Sequence, residues 1–444
     1  MIDFAPALER MSEVPRLGHH GRITRVVGLV MEATGIDVPL GSICRVRPLT
    51  GDGEVLAEAV GFHASGVLLM PFGELEGIHP GSSVEAIGRS PYIEVGQGLL
   101  GRVLNAMGDP IDGLGPLRRD TRVPLAGVPI NPLVRETIEE ALVTGVRSID
   151  GPLTLGHGQR VGIFAGSGVG KSSLLGSIAR GSSADVNVIA LLGERGREVR
   201  DFLHHSLGEE GLSRSVVVAA TGDEAALLRA RGALVATAIA EHFRSRGLHV
   251  LLMVDSVTRV AMAWREIGLA VGEPPTTKGY PPSVFANLPR LLERAGNDDN
   301  GSITGIYTVL VEGDDFNDPI ADAARSILDG HVVLSRRLAT SGHFPAVDVN
   351  ESVSRLRDRV ISDEHRKTVN AIQNLLAVYR EKEDLIAVGA YQAGSDPEVD
   401  QAIATRAEII RFLRQDTEEI SSQAETEAWL NRLSNLVRPA EARA

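Results

Sequence analysis

The stretch Ala165-Gly166-Ser167-Gly168-Val169-Gly170-Lys171-Ser172 limits what this chain can fold into more than any other. The apolar run RVGIFA leads into it, and SSLLGSIAR leads out. A strand therefore ends and a helix begins around a turn rich in glycine. Gly166, Gly168 and Gly170 let backbone N–H groups point inward around an anion. The N-terminus of the following helix adds positive potential. In this strand–turn–helix setting the loop is a phosphate cradle. Lys171 is placed to reach the β- and γ-phosphates of a nucleotide, and the Ser172 hydroxyl to ligate Mg²⁺. Ser167, Val169 and Ser173 complete the cradle. Alanine stands at the first position, where the general pattern has glycine.

A cradle of this kind needs a sheet to carry it, and the surrounding sequence supplies one. RVGIFA, NVIALL, SVVVAA, HVLLMVD and ITGIYTVL alternate with helical stretches such as Lys171–Arg180 and Glu224–Arg244. That alternation predicts an α/β domain around a mainly parallel sheet. Asp255 ends HVLLMVD, so its carboxylate is expected at the edge that holds the phosphates, as the Mg²⁺-side acid. Glu194, in GERGRE after NVIALL, is expected at the same edge, where a carboxylate can polarise an attacking water. Arg195 beside it can hold γ-phosphate charge. Glu198 reads as an exposed helix residue or an outer partner.

The flanks differ in kind. Residues 1–14 can form a short amphipathic helix, with Phe4, Leu8 and Met11 on one side, too small to be stable alone. From Gly21 to about Arg89, short Val-rich runs punctuated by Gly, Pro and Asp predict five or six strands and a small β-barrel. Pro91–Pro132 is rich in Gly and Pro and reads as a crossing linker. Beyond Asn350 the apolar residues take helix period, predicting a helical C-terminal domain. The expected division is a docking segment at 1–18, a β-barrel at 19–90, a phosphate-loop ATPase domain at 91–348 and a helical domain at 349–444.

Composition excludes other classes. The net charge of −13 and the 4% aromatic content count against a protein that lives on nucleic acid. Arg45 and Arg47 share one strand face, opposite Cys44 and Val46, but Phe62 and Phe72 alone make a poor stacking platform. One cysteine excludes an internal disulfide and a cysteine metal cluster. His19-His20 and His204-His205 are adjacent, which is not metal-ligand spacing. No run of apolar residues is long enough to span a bilayer. The N-terminus lacks the layout of a secretory signal, so a cytoplasmic protein is expected.

Several of these tracts resemble one family. GERGREV, VDSVTR, PAVDVNESVSR, GEPPTTKGYPPSVFANLPRLLERAG and DPIADAARSILDGHVVLSRRLA are similar to the hexameric ATPases related to rotary ATP synthase catalytic subunits. Within that group they resemble the protein-export ATPases of type III secretion, whose phosphate loop shares the initial alanine. The tract LIAVGAYQAGSDPEVDQAI resembles the flagellar branch. The resemblance implies ATP and Mg²⁺ as ligands, a homohexamer, and ATP hydrolysis that energises export of unfolded flagellar proteins. Lys171 and Ser172 then match the phosphate-loop pair, Glu194 the catalytic carboxylate, Arg195 its neighbouring arginine and Asp255 the Mg²⁺-side acid. Arg355 matches an arginine finger that reaches a neighbouring subunit's nucleotide. Phe344 matches an aromatic that stacks on adenine, where most relatives have Tyr. Lys278-Gly279-Tyr280-Pro281 falls where the family faces the ring interior.

The implied partners are a stator-like regulator at the N-terminus, a coiled-coil stalk protein in the ring centre, the membrane export gate, and export substrates with their chaperones. The expected place is the cytoplasmic face of the inner membrane. The alternatives are a virulence secretion ATPase, a rotary ATPase subunit, a ring-shaped RNA-binding ATPase and a non-catalytic nucleotide-binding subunit. The acidic rotor-contact run of the rotary subunits is absent here, replaced by LIAVGAYQAG. No nucleic-acid partner is expected.

Overall fold

The computed structural model describes residues 20–48, 53–63, 66–87, 92–127, 130–311, 313 and 318–437. The amphipathic segment expected at 1–14 lies outside them. The described residues fall into two compact units. One holds the barrel together with Glu224–Leu228 and Ala263–Pro282; the other takes Ile93–Asp223, Arg229–Met262 and the chain from Ser283 onward.

The first unit closes six antiparallel strands into a barrel: β1 (His20–Val27), β2 (Val30–Thr34), β3 (Ile43–Arg47), β4 (Val55–His63), β5 (Gly66–Pro71) and β6 (Ser83–Ala86). Their order around it is β1-β2-β5-β4-β3-β6. Strand side chains alternate between faces, so Cys44 and Val46 fill the interior with Ile23, Met31, Ala57 and Leu69. Burial in that apolar setting pushes the Cys44 thiol up to about 11. Arg45 and Arg47 face outward and meet acids: Arg45 pairs with Glu54 at 2.8 Å, and Arg47 with Glu85 at 3.4 Å.

In the second unit, a sheet runs in the order Val353–Ser354, Gly330–Leu334, Arg160–Ala165, Ser302–Leu310, His249–Asp255, Val186–Glu194, Ser215–Thr221, Arg102–Asn105. Every neighbouring pair is parallel except the first, which is antiparallel. Strands covered on both faces read as continuous apolar runs, and Val186–Leu192 is buried throughout. The strand Arg102–Asn105 corrects the reading of Pro91–Pro132 as a linker. It lies parallel to Ser215–Thr221, with Val216 opposite Arg102 and Ala219 opposite Asn105. Arg102 forks onto Asp112 at 2.7 and 2.8 Å, which keeps this short edge strand in place. That contact holds the Asp112 carboxyl well below the usual carboxylate range.

Three helices follow: Asp363–Ala387, Pro397–Leu413 and Gln423–Val437. Ser362 and Asp396 cap the first two with side-chain oxygens, and Pro397 takes the first helical position. Their buried residues Ile372, Ile409, Phe412 and Leu433 join the core formed by Ile149 and Leu175.

Candidate active site

Because the strands are parallel, their C-terminal ends share one edge, where ligands of open α/β sheets bind. Arg160–Ala165 delivers the phosphate loop to that edge. Gly168 and Gly170 take left-handed backbone angles, with φ of 77° and 89°, which glycine adopts without strain. Val169 is buried and anchors the loop, while Ser167 and Gly168 are exposed. The helix Lys171–Gly181 starts at once, burying Leu174, Leu175 and Ile178, with Ser172 and Ser173 exposed on its first turn. Gly166 is buried where the strand ends.

Three sequence-predicted residues converge here. The Lys171 ammonium lies 2.5 Å from Asp255 Oδ1 and 3.2 Å from Glu194 Oε1. Burial alone would lower the lysine pKa; the charges of Asp255 and Glu194 outweigh it and raise the pKa. Lys171 therefore stays fully cationic. Asp255 is buried at the end of its strand, and the Thr308 hydroxyl donates to its Oδ1 at 2.7 Å. Glu194 ends the strand Val186–Glu194 after a register shift. Gly193 makes that bulge with φ of 74°, and a side chain there would press on Arg259 at 2.8 Å. A bulge re-aims the next side chain, and here it precedes the carboxylate that meets Lys171.

Other predicted residues lie apart. Arg195 is 88% exposed and pairs with Glu198 at 3.7 Å across one helical turn. Arg355 follows the edge strand Val353–Ser354. Its backbone N–H donates to Asp329 O at 3.0 Å, and its guanidinium to Arg325 O at 3.4 Å. Asp329 in turn donates to Arg160 O. Arg355 is thus level with the start of the strand whose end, Ala165, carries the loop. Five residue steps separate them, about 16 Å at strand rise, more than an arginine side chain spans.

Phe344 stands beside the loop, and a β-carbon at Gly170 would meet its ring at 3.4 Å. A cleft of about 260 Å³ opens there, lined by Gly170, Ser173, Phe344, Pro345, Gln415 and Thr417 among others. Sequence reading missed the wall from the C-terminal region. It also missed Thr308, Gly193, and Arg336, which donates to Ser167 O at 3.3 Å. A glycine at a strand end next to an acid was the available signal for Gly193. For Thr308 there was none without the strand register.

Sheet, loop and converging side chains define a phosphate-loop nucleotide-binding protein. Comparison with known proteins narrows this. Residues 145–354 match the nucleotide-binding domain of the ATP synthase alpha/beta family, residues 23–88 its beta-barrel domain, and residues 361–432 the T3SS EscN ATPase C-terminal domain. A Bacillus subtilis protein named flagellum-specific ATP synthase is 53% identical, over 94% of this chain and 95% of the relative. A type 3 secretion system ATPase from Xanthomonas euvesicatoria is 51% identical, over 92% of each. The structure of the assembled ATPase EscN in complex with its central stalk EscO, from enteropathogenic E. coli, superposes with a TM-score of 0.87. It is 44% identical and covers 93% of this chain and 100% of that one. The chain belongs to the ATP synthase alpha/beta family, within its flagellar and type III secretion ATPases. It is an ATP hydrolase, and its relatives support the flagellar branch.

Proposed function

We propose that this chain is the ring subunit of a flagellar export ATPase, hydrolysing ATP to energise passage of unfolded flagellar proteins. The observation that carries the chemistry is the meeting of Lys171, Glu194 and Asp255 at the phosphate loop. Lys171 holds the ground-state phosphates. Gly166, Ser167, Gly168, Val169, Gly170, Ser172 and Ser173 wrap them, and Phe344 stacks on adenine. The Ser172 hydroxyl and the Asp255 carboxylate are oxygen donors of the hard kind that Mg²⁺ takes. When bound, Mg²⁺ neutralises charge on the transferring phosphoryl group. Glu194 accepts a proton as water attacks the γ-phosphorus and ADP leaves. Arg195 meets developing charge only by leaving Glu198.

Six copies close head to tail into a ring, each site completed by a neighbour's Arg355. The EscN relative carries a central stalk, and a coiled-coil stalk is proposed here in the ring centre. Further partners are the export gate, substrates and chaperones. Among the described residues no helix is long and apolar enough to cross a membrane. The proposed place is the cytoplasm, peripheral at the inner membrane. The proposed parts are a docking segment to residue 18, a barrel to 90, an ATPase domain to 348 and a helical domain beyond. A nucleic-acid ring is not favoured, because Arg45 and Arg47 of the barrel are matched by Glu54 and Glu85.

Complementation tests the reading. In a flagellated cell lacking its own export ATPase, this chain should restore secretion of hook and filament proteins. Lys171→Ala should not, since it loses the phosphate-holding ammonium. Rescue of injectisome secretion without rescue of swimming would overturn the flagellar assignment. The first eighteen residues are proposed to dock the stator-like regulator. Deleting residues 1–15 should leave ATPase activity within about twofold, because the segment is too short to be a stable helix by itself. Regulator affinity, measured by titration calorimetry, should fall at least tenfold, about 1.4 kcal/mol. Equal affinity for full-length and truncated protein would refute the docking role.

A further inference from the structure

We propose that Arg147 is a positioning residue for recognition of the nucleotide base. It lies in the one-turn helix Arg147–Asp150, only 6% exposed; it lines a second cleft on the other side of Phe344, with Arg411 and Trp429, and not the one that Phe344 shares with Gly170 and Ser173. Its guanidinium holds the segment that lines the latter. Nε donates to Phe412 O at 3.0 Å, Nη2 to Arg414 O at 2.6 Å, and Nη1 to Ser421 Oγ at 2.8 Å and to Glu419. The Arg147 backbone N–H donates to Gln415 Oε1 at 2.8 Å. Gln415 is then committed on every side. Its Nε2 donates to Gly145 O and to Glu419 O, both at 2.7 Å, and its backbone N–H to Phe344 O at 3.0 Å.

The guanidinium thus fixes the chain just before Gln415, at Phe412 and Arg414, and just after the wall, at Ser421, while the Arg147 backbone N–H meets Gln415 itself, whose own N–H reaches Phe344 O beside the cleft. The phosphate-loop helix grips the same segment, with Ser177 donating to Thr417 O at 3.0 Å and Arg180 at 2.5 Å. The wall Gln415–Glu419 has no regular secondary structure of its own to hold it. Its placement comes from these donors. A planar guanidinium presents donors in a fixed fork. A lysine ammonium offers its donors from one point and cannot serve the carbonyls of Phe412 and Arg414 together with Ser421.

The inference rests on the reading that Phe344 and this cleft receive the base, so the test separates the two. The probes are Mg·ADP and Mg·tripolyphosphate, which has the phosphate chain without base or ribose. Both are titrated into the full chain by calorimetry. Arg147→Lys should weaken ADP about tenfold, because the released wall must be ordered again each time the base binds. Tripolyphosphate should stay within about twofold, because the loop and Lys171 are untouched. In turnover, KM for ATP should rise in step with the ADP loss, while kcat falls less than threefold. Ser421→Ala removes one acceptor without burying a new charge and should show the same pattern at smaller size. This keeps the test decisive if Arg147→Lys folds poorly. Equal weakening of both probes, or of neither, in the folded variants would overturn the role of Arg147. Phe344→Ala tests the underlying reading: if it leaves the preference for ADP over tripolyphosphate unchanged, the base lies elsewhere.

Discussion

Glu194→Gln should bind ATP as tightly as the parent and lose nearly all turnover. The two effects separate because of what surrounds Lys171. Its ammonium touches two carboxylates, Asp255 at 2.5 Å and Glu194 at 3.2 Å. Removing the Glu194 charge leaves Asp255, itself held by Thr308, to keep the ammonium in place. It also removes one negative charge from the region that receives a polyanion, so ground-state affinity should hold or rise. The amide cannot take a proton from water, and a positioned general base is worth about 10²–10⁴ in rate. The expected signature is an unchanged Kd for a fluorescent ATP analogue with kcat down at least a hundredfold. Lys171→Ala should instead damage binding and turnover together, because Lys171 meets phosphates already present in the ground state. Turnover of Glu194→Gln within a few-fold of the parent would show that another group activates water.

The parts of this site that were legible before folding are those whose signal is local. The phosphate loop announces itself through strand, glycines and lysine in one run. Asp255 and Glu194 were legible because parallel strands buried on both faces stand out as apolar runs, and each carboxylate ends one. The barrel showed in its short Val-rich runs punctuated by Gly, Pro and Asp, and the facing of one strand in the alternation of Cys44 and Val46 with Arg45 and Arg47. What was not legible depends on distant partners. Arg102–Asn105 is a four-residue stretch opening just after Gly101, and it is a strand only because Val216–Ala219 lies beside it. The wall Gln415–Glu419 falls in the tract DQAIATRAEIIRFLRQDTEEI, whose period predicts helix, but the helix ends at Leu413 and the wall takes an irregular path set by Arg147, 268 residues earlier. Consecutive residues at a strand end point to different sides, and Arg195, next to Glu194 in sequence, pairs with Glu198 here, so its proposed approach to the γ-phosphate requires that pair to open.

Arg355→Ala and Glu194→Gln should each be nearly inactive, yet a mixture of the two should regain activity. Arg355 sits at the N-terminal ends of the strands, beside Asp329, whereas the phosphate loop leaves their C-terminal ends. A side chain so placed cannot serve its own loop, but it directly follows the sheet's edge strand, where a neighbouring copy can approach. An arginine finger supplied by a neighbour is worth about 10³–10⁵ in turnover, so its loss alone should silence the site. In head-to-tail rings assembled at random from equal amounts of the two proteins, about a quarter of interfaces pair an intact Glu194 with an intact Arg355. Activity should return toward about that fraction of the parent's if interfaces act independently, and only at concentrations where rings form. Each chain in the mixture still lacks one group, so an arginine acting within its own subunit predicts no recovery at all. Subunit exchange is followed in parallel with two fluorescent labels. A mixture that exchanges subunits and stays as inactive as its components would end the shared-site model.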